Sequence, residues 1–130
     1  MKMTNRELVN NLNALNEVMF EEDKLPDDKK MFSGRAHLIM VRNIRAMMKE
    51  YNENYIKDLT EIRSKHYDSD EVDGEMKLTL KDGIEQKEAD EALNTLLDLE
   101  IDVPITKILL EDVEKVPDIG TVEKLNFMVE

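Results

Sequence analysis

Residues 33–66 read SGRAHLIMVRNIRAMMKEYNENYIKDLTEIRSKH, 34 positions in which the only glycine stands second and no proline occurs. A stretch this long, without breakers and with recurring apolar side chains, predicts one long helix ending near His66. Ser33-Gly34 offers a start to it, and Asp27 or Asp28 an earlier one. Val41, Ile44, Met48, Tyr51, Tyr55 and Ile62 follow spacings of three and four, with one skipped place that Leu59 nearly fills. That is a coiled-coil-like seam, and a seam requires a partner.

The partner lies upstream. Thr4 and Glu7 form T-x-x-E, the capping box that satisfies free backbone N–H groups in a first helical turn, and Met3 and Leu8 stand where a hydrophobic staple packs. Leu8, Leu12, Leu15 and Met19 then make an apolar stripe, which predicts a first helix over residues 5–22. Pro26, within the polar stretch 21–28, argues against its continuing. Folded back on the long helix, this helix makes an antiparallel hairpin but covers only about half of its partner's length. From Tyr51 onward the seam needs the C-terminal half of the chain or a second chain.

Beyond residue 67 the periodicity changes. Residues 68–75, DSDEVDGE, are acidic, and Asp73-Gly74 is a turn signal. Met76, Leu78 and Leu80 alternate with Lys77, Thr79 and Lys81, the pattern of a half-buried strand. Ala89, Ala92, Leu93, Leu96 and Leu97 suggest a helix over 85–98. Leu99, Ile101, Val103 and Ile105 alternate again, and Ile108 to Leu110 continue or pair as strand. Pro104 is expected at an edge or bend. Thr121 is expected to cap a last short helix carrying Val122, Leu125 and Met128. The expectation is an α+β fold: residues 1–130 as one domain, with a helical hairpin over 1–67 and a small antiparallel sheet with one or two short helices over 68–130.

The 130 residues carry a net charge of −12, unevenly placed. Residues 1–67 hold 12 basic and 11 acidic side chains, and residues 68–130 hold 6 and 19. Within the long helix Arg42, Arg45 and Lys49 make a basic stripe. Either this stripe meets nucleic acid or an acidic partner, with the acidic half imitating a phosphate backbone, or the acidic half lies beside the helix and the remainder is solvated surface.

Catalytic patterns are missing. With no cysteine, thiolate zinc sites, iron–sulfur clusters, disulfides and cysteine nucleophiles are excluded. A calcium loop with Gly74 at its sixth position, using Ser69, Glu71 and Asp73, fails because Leu80 takes the place of the bidentate carboxylate. His37 and His66 lie too far apart for a metal motif. No serine occupies a nucleophile elbow, and glycines 34, 74, 83 and 120 build no phosphate loop. The expectation is a protein with no cofactor, no metal and no enzymatic role. The start lacks the apolar core of a signal peptide, and no apolar run reaches the ~20 residues of a membrane helix, so a cytoplasmic location is expected.

Residues 2–17 (KMTNRELVNNLNALNE) and 42–53 (RNIRAMMKEYNE) are similar to segments of a family of small phage and prophage proteins of Gram-positive bacteria. So are 96–108 (LLDLEIDVPITKI), 110–114 (LEDVE) and 125–130 (LNFMVE). The family has no assigned activity, so no residue role transfers. The resemblance implies a phage-related origin and the bacterial host cytoplasm.

Three functions follow as expectations. The first is a non-enzymatic role through protein–protein contacts, in assembly or host interaction, with homo-oligomerisation through the long helix and Tyr51 and Tyr55 at the contact. The second is an acidic mimic of DNA, carried by Glu100, Asp102, Glu111, Asp112 and Glu114, that inhibits a nuclease or another nucleic-acid-binding protein. The third, disfavoured by the net charge, is nucleic-acid binding through Arg42, Arg45 and Lys49.

Overall fold

The computed structural model describes residues 1–115 and 117–129, and the side chain of Leu110 is outside that description. The fold is α+β. Strand β1 (Lys2–Thr4) leads into helix α1 (Asn5–Lys24). The capping box is formed: Thr4 Oγ1 accepts the Glu7 N–H at 3.1 Å, and Glu7 Oε1 accepts the Thr4 N–H at 3.0 Å. Met3 and Leu8 are both buried beside it. The helix ends at Leu25, held extended by the proline that follows.

Asp27–Lys29 form a short 3-10 turn, and neither aspartate caps the next helix. Ser33 does, its hydroxyl accepting the Ala36 N–H at 3.1 Å, and helix α2 runs over Gly34–Glu50. A π-helical turn over Tyr51–Tyr55 joins it without interruption to helix α3 (Ile56–His66). The long helix is therefore present, with one wide turn inside it.

Its buried stripe differs from the predicted seam. Ala36, Ile39, Met40, Asn43 and Met47 are buried on α2, whereas Val41 and Ile44 are only partly covered and Met48 is 36% exposed. Asn43, a polar residue at the centre of the buried face, masks the true apolar period from a reading of hydrophobicity alone.

Strands β2 (Tyr67–Val72) and β3 (Glu75–Leu80) form an antiparallel hairpin. Helix α4 (Gln86–Asp98) follows, and strand β4 (Glu100–Asp102) returns to pair antiparallel with β1, Met3 opposite Ile101. The alternation through Ile105 thus yields three residues of strand. The chain then runs as an irregular strap: Ile108 bridges Val129, Phe32 bridges Val113, and Pro104 follows the strand end. The last helix, α5 (Ile119–Leu125), is capped by Asp118, not Thr121; the Asp118 carboxylate accepts the Thr121 N–H at 2.7 Å.

The core is not divided at residue 67. Leu8, Leu12, Leu15 and Val18 of α1 and Met40 and Met47 of α2 pack with Val103 and Ile108 of the strap, Leu125 of α5 and Met128 just after it. A second cluster joins Tyr55 and Leu59 to Leu96 of α4, with Val9 and Tyr51 at its margin. The part of the long helix that α1 leaves bare is covered by α4, that is, by the chain's own C-terminal half.

Candidate interaction surface

The sequence YDSDEV-DG-EMKLTL explains the β2–β3 ribbon. Asp73 (φ 54°) and Gly74 (φ 80°) both take the left-handed conformation, as a two-residue type I′ hairpin turn requires. The strand signal in β3 is the one recognised from sequence. Strand β2 was hidden because YDSDEV holds three acids, although the Asp-Gly pair beside an alternating strand already signals a partner strand.

Register fixes the two faces. Tyr67 pairs with Leu80, Ser69 with Leu78 and Glu71 with Met76, which places one side's Met76, Leu78 and Leu80 together. The other side carries Asp68 opposite Thr79, Asp70 opposite Lys77 and Val72 opposite Glu75. The apolar side overhangs α3 and α4 without closing on them. A cleft of about 390 Å³ lies between Thr60, Arg63 and Ser64 of α3 and Ser69, Met76 and Leu78 of the ribbon. Met76 remains 70% exposed and Leu78 49%, so the strand is not half-buried as its alternation suggested. Gln86 holds the base, donating to the Tyr67 hydroxyl at 3.1 Å.

Arg42, Arg45 and Lys49 are exposed along the outer face of α2, and none forms an ion pair among the described residues. Tyr51 and Tyr55 lie 5.3 Å apart, ring to ring, but Tyr55 is buried against α4 and Tyr51 is partly covered. They serve the core of this chain.

The five acids singled out from sequence do not form one surface. Glu100 and Asp102 sit on β4, beside the start of α1. Asp112 and Glu114 sit at the start of α2, where the Asp112 carbonyl accepts from Ser33 and the Glu114 N–H donates to Met31. The length of α1, about 30 Å, separates the two groups. Asp112 is 5% exposed and carries internal contacts: Arg35 pairs with it, and Ser33 Oγ and the Leu109 N–H donate to it. Asp102 is exposed and accepts from the N-terminal ammonium at 2.8 Å, which holds its carboxyl below the ordinary aspartate range with help from Lys2. Glu111 and Glu114 are exposed.

The negative charge concentrates elsewhere. Residues 67–98, the ribbon and α4, carry eleven acidic and three basic side chains. Among the described residues no group of three His, Asp or Glu side chains is placed to hold a metal ion, and no helix is long and apolar enough to cross a membrane. A buried carboxylate escaped the sequence reading: Glu22, fully buried, accepts the Met31 and Phe32 N–H groups at 2.8 and 3.2 Å, with His37 Nε2 3.5 Å away. It ties the 25–33 connection to the end of α1.

Comparison with protein-family models, curated proteins and solved structures finds no match to the chain.

Proposed function

We propose that this chain is a non-enzymatic phage or prophage protein that acts through protein–protein contacts in the host cytoplasm, in assembly or at a host target, and that the β2–β3 ribbon is its contact element. The observation that carries the reading is a two-stranded ribbon whose apolar side, Met76 and Leu78, stays open over a cleft. Two strands alone are marginal in water, and a third strand or a packed face stabilises them. Exposed apolar side chains rimmed by charge are the usual composition of a protein-binding patch. The phage origin rests on the similarity at residues 2–17 and 42–53.

Replacing Met76 by a photoreactive side chain tests the reading in cells that make the protein. Irradiation is expected to give a protein adduct from position 76 and none from the exposed α1 position Asn13. Equal yields at both sites, or no adduct at 76, would overturn it.

The eleven acids of residues 67–98 favour a second reading, an acidic DNA mimic, now centred on the ribbon and α4. Neutralising Asp68, Asp70, Glu85 and Glu88 would then abolish inhibition of a nuclease target, while neutralising Glu100 and Asp102 would not. Inhibition untouched by the first set removes this reading.

A further inference from the structure

We propose that the open edge of β3 pairs antiparallel with β3 of a second copy of this chain, joining the two ribbons into one four-stranded sheet with Glu75 of each copy opposite Lys81 of the other. The inference rests on the ribbon being the contact element.

The hairpin itself decides which backbone groups are free. Across a two-residue turn the flanking pair, Val72 and Glu75, is the hydrogen-bonded one, and pairs then alternate. Glu75, Lys77 and Thr79 therefore direct their N–H and C=O groups to β2. The Lys81 N–H continues the pattern inward, donating to the His66 carbonyl at 3.0 Å. Met76, Leu78 and Leu80 direct theirs outward, and among the described residues β3 has no second neighbouring strand.

Charge then selects the edge. Strand β2 carries Asp68, Asp70 and Glu71 and no base, so two β2 edges side by side would set like charges together. Strand β3 carries one acid and one base, Glu75 and Lys77.

Charge also selects the register. Only registers that place even-numbered residues opposite each other join outward-facing backbone groups. With Leu78 opposite the second copy's Leu78, Met76 faces Leu80, Lys77 faces Thr79 and Glu75 faces Lys81. Sliding one strand by two residues either way sets Lys77 against Lys77 or against Lys81, like charges directly opposite. Glu75, Lys77 and Lys81 have no ion-pair partner among the described residues of one copy, so Glu75 and Lys81 are available to each other across the two-fold axis. The joined sheet presents Met76, Leu78 and Leu80 twice on one continuous apolar face, and it doubles the strand number of a ribbon too small to be stable alone. A two-fold contact of this kind closes on itself and stops at two copies.

Light scattering on the full chain across a concentration series tests this, with the wild type and four variants. The wild type is expected to be a dimer. Glu75→Lys and Lys81→Glu each place like charges opposite, twice by symmetry, and should weaken the dimer about tenfold or more. The combined Glu75→Lys/Lys81→Glu chain should restore it. Leu78→Pro removes an outward N–H that the ribbon itself does not use and should be monomeric. A wild type that is monomeric at every concentration, or a dimer indifferent to the charge variants, overturns the inference. A monomeric wild type whose position 76 crosslinks to another protein fails this inference alone, whereas no adduct at position 76 fails the reading beneath it.

Discussion

Asn43 and Thr106 are joined by two hydrogen bonds, the side-chain amide donating to the Thr106 carbonyl and its Oδ1 accepting the Thr106 N–H, each at 2.9 Å. The side chain pairs with the strap as a neighbouring strand would. Asn43 is buried between Met40 and Met47, so its amide fixes, from inside the apolar face of α2, where the strap crosses the helix.

Asn43→Leu fits the apolar surroundings but leaves both Thr106 backbone groups without their partner. A loss of about 2–3 kcal/mol is expected in urea unfolding. Amide exchange at Thr106 and Ile108 should quicken more than in α4. Unchanged stability would show that the strap's other anchors, at Ile108, Asp112 and Val113, hold it without the amide.

Glu22 poses the same question at the C-terminal end of α1. A carboxylate in the last turn opposes the helix dipole, and burial adds to that cost. Its compensation is the pair of N–H donors from Met31 and Phe32. Glu22→Leu is expected to lose about 2–4 kcal/mol, and Glu22→Gln, which keeps an acceptor, about half of that. Amide exchange at Met31 and Phe32 should rise in the leucine variant only; equal exchange in both variants would remove the carboxylate from its assigned place.

Much of this fold was legible because local signals agreed with the packing. The Thr4–Glu7 box, the Leu8–Leu12–Leu15 stripe, Ser33 before the long helix and the α4 pattern each name a cap or a face directly. What failed was reading burial from hydrophobicity. Met76 and Leu78 alternate like core residues yet stand open, while Asn43 and Glu22 look like surface residues and are buried. The proposed acidic surface failed for a different reason. Glu100 and Glu111 are close in sequence, but the strap between them crosses the full helical hairpin.

Asp118 ties a pH dependence to α5. Its carboxyl lies below the ordinary aspartate range chiefly because it accepts the Thr121 N–H. A lowered folded-state pKa means stabilisation that is present at neutral pH and is lost as pH falls through that value, below about pH 4. Asp118→Asn keeps a capping acceptor without the titration. The wild type should exceed this variant in unfolding midpoint at neutral pH, with the gap closing in acid. A gap that stays constant with pH would sink the assignment.

The π turn at Tyr51–Tyr55 corrects the phase of the long helix. Ile56 donates to the Tyr51 carbonyl five residues back, so this turn holds one residue more than an α-turn. Met47 and Tyr55 are both buried on the inner side, eight residues apart. In an unbroken α-helix eight residues would rotate Tyr55 about 80° from Met47. With one residue absorbed by the wide turn, Tyr55 acts as a seventh and returns to within about 20° of the stripe, facing α4 and Leu96. Deleting the exposed Asn52 should therefore convert the segment to plain α-helix and keep Tyr55 and Leu59 in phase. A stability within about 1 kcal/mol of the wild type is expected. Deleting the exposed Asn13 from α1, which has no such turn, rotates Leu15 and Val18 about 100° out of the core and should abolish cooperative unfolding. If thermal melts show both deletions to be equally damaging, the wide turn has no phasing role.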